Sequence, residues 1–120
     1  MPGERVVEGR AGGLELADFA TTLTSEGETD MTWTIGDHGF EMILSAEVPR
    51  IIGREIRDAV GPVLDGVDAW AVHPGGRSVL DRVESGLGLD PQALEASRHV
   101  LRTYGNMSSA TLLFILRDQL

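Results

Sequence analysis

Apolar and polar residues are mixed in short runs over the first third of the chain, which is typical of β-strands. Residues 14–23 (LELADFATTL) include β-compatible Phe and Thr and end in a polar turn over 24–30. MTWTI and FEMIL then flank the connection Gly36-Asp-His-Gly39, and short Gly-containing connections join antiparallel strands. The pattern therefore predicts a strand at 14–23 followed by a β-hairpin.

The spacing of apolar residues changes to a helical period after Pro49, a residue that the first turn of a helix tolerates. The residues that recur at every fourth position and share one face are Ile52, Ile56, Val60 and Leu64. We expect an amphipathic helix here, disturbed near its end by Gly61 and Pro62.

A second short apolar run, Trp70–Val72, stops at His73. Its length and composition predict a buried strand that ends at this histidine. A strand that returns to the sheet between helical segments is typical of an α/β layered domain.

Helical signals dominate the remainder of the chain. An apolar face recurs over Val79–Leu87, and Asp90-Pro91 is a cap followed by a first-turn proline. Gly105 is expected to stop the helix that follows this cap. Leu112–Leu116 is apolar all round, which predicts a last helix enclosed on every side.

Composition narrows the function classes. Of the 120 residues, 42% are hydrophobic and 24% charged, which indicates one soluble globular domain. The sequence contains no cysteine, so these residues supply no disulfide, thiolate zinc site or thiol nucleophile. All ten basic residues are arginine, which excludes a Schiff-base lysine and a phosphate-loop lysine. The net charge of -9 argues against binding to a phosphate backbone, so no nucleic acid partner is expected.

Three histidines and one asparagine are the candidates for chemistry. His99 lies among polar neighbours and His38 lies in a Gly-flanked turn, so both are interpreted as surface residues. His73 either is a structural residue or lies in a ligand crevice, since such crevices form at strand ends in α/β sheets. The Asn106 amide either caps a helix or points donors at a substrate oxygen. If the fold brings His73 and Asn106 together, their N–H donors would form an oxyanion hole for an ester or thioester carbonyl.

Longer motifs surround these residues in a distinctive order and spacing. The first motif is Trp70-Ala-Val-His73-Pro-Gly-Gly76, followed by Leu80-Asp81 and Val83-Glu84. The second is Tyr104-Gly-Asn-Met-Ser-Ser-Ala110, followed by Leu113-Phe-Ile-Leu116. Upstream of both lie Asp30-Met-Thr-Trp and Gly36-Asp-His-Gly-Phe-Glu-Met-Ile-Leu-Ser45, which closes on Val48-Pro49. These motifs resemble the type III polyketide synthases, the chalcone and stilbene synthase family, and the upstream ones are similar to its bacterial members. The resemblance spans about residues 14–120.

The resemblance implies an α/β fold: a thiolase-like C-terminal half-domain, with helices packed on a mixed sheet that lacks the family's final strands. It also implies an acyltransferase in a cytoplasmic homodimer, which extends a CoA-linked starter with malonyl-CoA by decarboxylative condensation. Acyl-CoA and malonyl-CoA would be substrates, and neither a cofactor nor a metal is expected.

The active site of the family is a Cys-His-Asn triad. By motif alignment, His73 corresponds to its histidine and Asn106 to its asparagine. These two residues would hold the thioester carbonyl and stabilise the enolate that decarboxylation leaves. Gly75 and Gly76 are predicted to bind substrate beside them. Met42 is predicted to do so as well, because it aligns near a position where plant members place an aromatic at the pocket entrance.

Two departures from the family pattern leave the function open. The family's nucleophilic cysteine lies in an N-terminal half that these residues follow, and the family chain continues past the position of Leu120. One hypothesis is a C-terminal portion that acts with a cysteine-bearing N-terminal half in trans. The others are a non-catalytic module that binds itself or a full-length synthase through exposed sheet edges, and an inactive truncated fragment.

The N-terminal segment bears on location and domain limits. Residues 1–13 are Gly-rich and are expected to be a flexible tail, with the domain over 14–120. The sequence shows neither a secretory signal nor a run of about 18 apolar residues. A cytoplasmic protein without a membrane partner is therefore expected.

Overall fold

The computed structural model of the chain describes residues 14–120, and the tail predicted over 1–13 lies outside them. Within this range a two-stranded antiparallel sheet is followed by α-helices. The elements are β1 Met31–Gly36, β2 Gly39–Leu44, α1 Val48–Val60, α2 Arg77–Leu87, α3 Glu95–Tyr104 and α4 Ala110–Gln119. Turns of 3₁₀ helix at Gly61–Val63 and Pro91–Leu94 follow α1 and precede α3.

The predicted hairpin is confirmed. Asp37 and His38 form the turn between β1 and β2, where His38 is exposed as expected. The register places Trp33 opposite Met42 and Ile35 opposite Phe40. Since opposed residues of an antiparallel pair lie on the same face, these four side chains form one apolar face of the sheet.

The two other predicted strands are wrong. Residues 14–23 and Trp70–Val72 form neither strand nor helix. A strand needs a hydrogen-bonded neighbour, and the sheet within residues 14–120 consists of β1 and β2. Apolar character alone does not reveal whether a segment has a neighbouring strand to pair with.

Side chains hold the first irregular segment against α1. The hydroxyl and backbone N–H of Ser25 donate to the Glu55 carboxylate at 2.6 and 3.0 Å, and the Thr22 hydroxyl donates to the Ala59 carbonyl at 3.1 Å. The bonds from Ser25 lower the pKa of the Glu55 carboxyl. Residues 22–25 are therefore held along the surface of α1 and are not part of the sheet.

The helix predicted after Pro49 is confirmed as α1, with the proline in its first turn and a change to 3₁₀ geometry at Gly61. Helix α1 packs along α2, and the main buried cluster joins Leu80 and Val83 of α2 to Leu94 of the 3₁₀ turn before α3. The buried hydrophobic side chains are Ile51, Leu80, Val83, Leu94, Val100 and Ile115. Leu80 and Val83 lie three positions apart on α2, a helical spacing that turns both side chains toward the core.

The predicted cap at Asp90 and helix stop at Gly105 are also observed, but Asp90 caps the 3₁₀ turn Pro91–Leu94 that leads into α3, and α3 itself has no side-chain cap at its N-terminus. The Asp90 side chain accepts a hydrogen bond from the Gln92 backbone N–H at 2.8 Å, and α3 ends at Gly105, where φ is +75°. Such a φ suits glycine, which lacks the Cβ that would strain it.

The prediction that α4 is enclosed on every side is wrong. Thr111 and Ile115 are its buried residues, whereas Leu113 is 68% exposed. One face of the helix therefore packs on α3 while another is open. No helix within residues 14–120 combines the length and apolar character that crossing a membrane requires.

Candidate functional site

His73 lies in a loop that leads directly into α2. Pro74, the next residue, is fully buried and anchors the loop in the core, while the His73 side chain is exposed. The Gly75 backbone N–H donates to the His73 carbonyl at 3.1 Å, which closes a tight turn. The imidazole is thus presented on a short, fixed turn instead of at a strand end.

Asn106 lies beside this turn although 31 residues of sequence separate it from Gly75. Its Nδ2 donates to the Gly75 carbonyl at 3.3 Å, and its Oδ1 accepts from the Ser108 backbone N–H at 2.9 Å. Because a backbone N–H can only donate, the second contact fixes which end of the amide is oxygen. One Nδ2 hydrogen remains for a substrate oxygen.

The capping interpretation of Asn106 is observed, and the substrate-binding interpretation stays a prediction. Its oxygen caps the turn that leads to α4, and its nitrogen faces the loop that carries His73. Residues 14–120 contain no hydrogen bond between the two side chains themselves, and both are exposed. The fold brings their loops together, while the oxyanion hole itself stays a prediction.

The turn that carries Asn106 is strained. Ser108 has φ +59°, the one non-glycine residue within 14–120 with a positive φ. Residues other than glycine rarely adopt this conformation, and it persists only where neighbouring contacts enforce it. One such contact is the Thr111 hydroxyl, which accepts from the Met107 backbone N–H at 2.8 Å.

A charged cluster ties α2 to α3, the helices that adjoin the two site loops. Arg98 contacts Asp81 and Glu84 at 2.8 Å each. The hydrogen bond with Glu84, followed by that with Asp81, raises the pKa of the Arg98 guanidinium. This cluster links the middle of α2 to the first half of α3.

A cleft of about 600 Å³ adjoins the His73 loop. Its lining residues are Leu44, Ser45, Ala46, Pro49, Arg50, Gly75, Gly76, Ser78, Val79 and Arg82. Gly75 and Gly76 thus line this cleft, and their role in binding substrate stays a prediction. Met42 does not line the cleft and lies half exposed on the sheet.

Sequence reasoning missed Arg50 and Arg82 in this cleft. Arg50 pairs with Glu47 at 3.0 Å on the first turns of α1. In the sequence both arginines look like ordinary solvated positions of amphipathic helices, and only the packing of α1 on α2 brings them to one cleft.

The remaining candidates do not add to the site. His99 is exposed on α3, as the sequence predicted. Over residues 14–120, histidine and carboxylate side chains do not gather into a group of three or more that could hold a metal ion.

Comparison with known proteins identifies the class of protein. A family model described as chalcone and stilbene synthases, C-terminal domain, matches residues 15–120. The chain therefore belongs to the chalcone and stilbene synthase family and corresponds to its C-terminal domain. This confirms the family suggested by the motifs around His73 and Asn106.

Individual relatives agree with this assignment. The chain is 36% identical over 116 residues to bisdemethoxycurcumin synthase from Oryza sativa subsp. japonica, covering 88% of this chain and 29% of that protein. It is 32% identical over 113 residues to a putative chalcone synthase from Bacillus subtilis (strain 168), covering 88% of this chain and 31% of the relative. The chain thus spans about three-tenths of the length of these relatives.

A solved structure supports the fold. The crystal structure of PKS-I from the brown alga Ectocarpus siliculosus superposes with a TM-score of 0.72 at 33% identity, over 79% of this chain and 27% of that one. The expected fold class, an α/β thiolase-like C-terminal half-domain, is confirmed, although within residues 14–120 the helices pack mainly on one another and not on the sheet. In residues 14–120 that sheet is the antiparallel pair β1 and β2.

Proposed function

We propose that this chain supplies the oxyanion-stabilising half of a type III polyketide synthase active site, with His73 and Asn106 as its catalytic residues. The observation that carries the proposal is the bond from Asn106 Nδ2 to the Gly75 carbonyl, which holds the amide beside the loop of His73. The sequence has no cysteine, so the nucleophilic thiol comes from outside these 120 residues. A cysteine-bearing N-terminal portion of a synthase is the expected partner, and the chain would also associate with a second copy of itself.

The proposed chemistry is decarboxylative condensation of malonyl-CoA onto an acyl starter. When the malonyl thioester loses carbon dioxide, the electron pair of the broken C–C bond passes into an enolate. N–H groups of His73 and Asn106 would donate to the enolate oxygen, where the negative charge develops. The enolate carbon then attacks the acyl thioester on the partner's cysteine, and that sulfur leaves as a thiolate.

The cleft beside Gly75 and Gly76 suits a long substrate. A thioester carbonyl placed at Asn106 would leave the remainder of the CoA chain to run along this cleft. Arg50 and Arg82 line it, and their guanidinium groups would attract the CoA phosphates. These arginines provide local positive charge on a chain whose net charge is -9. No cofactor is required by this chemistry, since CoA thioesters are the substrates.

The first prediction tests the two catalytic roles. The chain is mixed with a cysteine-bearing N-terminal portion of a synthase, and carbon dioxide release from malonyl-CoA is measured. His73→Ala and Asn106→Ala should each lower kcat by roughly a hundredfold or more, because each removes a donor to the developing oxyanion. An unchanged rate in either variant would remove that residue from the mechanism.

His99→Ala is the matched control for His73→Ala. His99 is an exposed histidine on α3 and belongs to none of the loops described above. Its variant should keep the decarboxylation rate of the native chain. Equal losses in His73→Ala and His99→Ala would point to a general effect of losing a histidine and would contradict the assigned role.

A second candidate function rests on the apolar face of the hairpin. Trp33, Ile35, Phe40 and Met42 lie on this face, and Ile35 is 82% exposed. Contiguous exposed apolar surface marks sites of protein association. The alternative is therefore a non-catalytic module that binds a second copy or a full-length synthase through this sheet.

A further inference from the structure

Two buried hydroxyl groups lie next to the candidate catalytic residues. Within residues 14–120, the buried polar side chains are Ser97 on α3 and Thr111 on α4, and each has 0% exposed surface. Burying a hydroxyl group costs free energy unless the group is hydrogen-bonded. The hydrogen-bond partner of each buried hydroxyl therefore indicates the part of the structure that it stabilises.

Each hydroxyl accepts a hydrogen bond from a backbone N–H beside one catalytic residue. Ser97 Oγ accepts from Val72, the residue before His73, at 3.1 Å. Thr111 Oγ1 accepts from Met107, the residue after Asn106, at 2.8 Å. By contrast, the exposed Ser85 hydroxyl donates to the Asp81 carbonyl of its own helix, the usual local pattern for serine in a helix.

The contact of Thr111 acts directly on the backbone of Asn106. The Met107 N–H and the Asn106 carbonyl belong to the same planar peptide unit, so a bond to one fixes the orientation of the other. The side chain of Asn106 is held separately, by the Ser108 N–H and the Gly75 carbonyl. Since Ser108 is strained at φ +59°, this turn would relax if one of its restraints were removed.

We infer that Thr111 and Ser97 are positioning residues, which set the orientation of Asn106 and His73 toward the same substrate oxygen. This inference rests on the proposed function, since it assigns both residues to the same site. Helices α3 and α4 thereby act on the chemistry through two hydroxyls that substrate does not reach. A displacement of about 1 Å at such a site lowers catalytic rates by roughly a hundredfold, so small rotations of these peptides matter.

The test compares two substitutions of Thr111 in the full chain. Thr111→Val keeps the shape of the side chain and removes the acceptor, whereas Thr111→Ser keeps the acceptor and removes a buried methyl group. Malonyl-CoA decarboxylation is measured with the cysteine-bearing N-terminal portion. Thr111→Val should lower kcat by roughly tenfold to a hundredfold with KM unchanged. Thr111→Ser should keep kcat within about twofold.

Thermal unfolding separates positioning from simple support of the core. Thr111→Ser leaves a small cavity, so its midpoint temperature should fall even though its kcat is kept. A merely structural role would make kcat follow stability in both variants. Equal kcat values for the two variants would therefore overturn the inference. Thr34→Val, at an exposed position of β1, is the control for replacing threonine by valine and should leave both readouts unchanged.

Nuclear magnetic resonance of the ¹⁵N-labelled chain alone gives a readout that needs no activity. Thr111→Val should shift the side-chain NH₂ resonances of Asn106, the one asparagine in the sequence, and Thr111→Ser should not.

If the native chain fails to decarboxylate malonyl-CoA with its partner, the proposed function fails, while these resonances still decide the positioning role. If Thr111→Val does not fold, Ser97→Ala tests the same inference, through the imidazole resonances of His73. Unmoved resonances in the folded variant would overturn it.

Discussion

Asn106 uses the two ends of its amide for different tasks. The oxygen accepts from the Ser108 N–H at 2.9 Å and shapes the turn, while the nitrogen donates toward the His73 loop at 3.3 Å. Capping and substrate binding are often treated as alternatives for an asparagine at a helix start. Here one planar group serves the cap and leaves a donor free, so a single substitution can separate the two tasks.

Asn106→Asp is that substitution. The carboxylate has the same shape and can still accept from the Ser108 N–H, but it presents an acceptor where the amide presents a donor. We expect kcat for malonyl-CoA decarboxylation to fall by roughly a hundredfold. The thermal midpoint should change less than in Asn106→Ala, which also loses the cap. An aspartate variant with native activity would show that no donor is needed at this position.

Two glycines explain how closely α1 and α2 approach. A Cβ added at Gly86 would lie 2.6 Å from Cγ2 of Ile56 and 3.1 Å from the Gly53 carbonyl oxygen. The first distance is far shorter than van der Waals contact, and the second involves rigid backbone. The α1–α2 pair also supplies Arg50 and Arg82 to the cleft, so the close approach of these helices brings the two arginines together.

Gly86→Ala should therefore destabilise the chain by about 1–3 kcal/mol, because the helices must separate. Alanine favours a helix over glycine by about 1 kcal/mol, which offsets part of this loss. Ser85→Ala is the control: this exposed neighbour of Gly86 on α2 gains no atom at the contact with α1. That variant should be unchanged or slightly more stable, because alanine is the better helix former. Urea unfolding measures both, and a neutral Gly86→Ala would contradict the close packing.

Local signals were sufficient for the elements that depend on local contacts. The hairpin around Asp37, the cap at Asp90 and the helix stop at Gly105 were each predicted from residues a few positions apart. Residues 14–23 and 70–72 were assigned to strands because they are apolar and β-compatible. Strand formation depends on a partner distant in sequence, which composition does not reveal. The same limit applies to α4, whose apolar run does not specify how many of its sides are covered.

The candidate site shows the same division between local and distant contacts. His73 and Asn106 were found because their motifs are contiguous in sequence. Ser97 and Thr111 were missed because a hydroxyl in a helix carries no sign of the backbone N–H it will bind. Ser97 lies 25 residues from its partner Val72 in sequence. Only the packing of α3 on the irregular residues 70–72 brings the two together.

The whole molecule exposes more surface than a compact globule of its mass. Its accessible area is 9276 Å², against about 6,300 Å² expected for a folded chain of 12.9 kDa. Its radius of gyration is 16.1 Å, against roughly 13 Å for a compact chain of this length. Exposed large hydrophobic side chains lie in the irregular segment 14–23 and on the face of the hairpin, where Trp33, Ile35, Phe40 and Met42 form one contiguous surface. This face is the strongest candidate for an association surface.

Self-association through this face is the prediction at the scale of the molecule. The chain alone should have a mass above 12.9 kDa in light scattering after gel filtration, and the mass should fall on dilution. The double variant Ile35→Lys and Phe40→Lys should be monomeric, because two charges would have to be buried in the contact. Thr34→Lys places lysine on the opposite face of β1 and should associate like the native chain.

Salt dependence identifies the force that drives this association. Each copy carries a net charge of -9, so two copies repel one another at low ionic strength. Raising the salt from about 0.01 M to 0.15 M shortens the screening length from roughly 30 to 8 Å and removes most of that repulsion. Contact between apolar faces should therefore strengthen with salt, whereas contact through ion pairs would weaken. A native chain that stays monomeric at high salt and high concentration would contradict self-association. The apolar face would then be expected to bind a different protein.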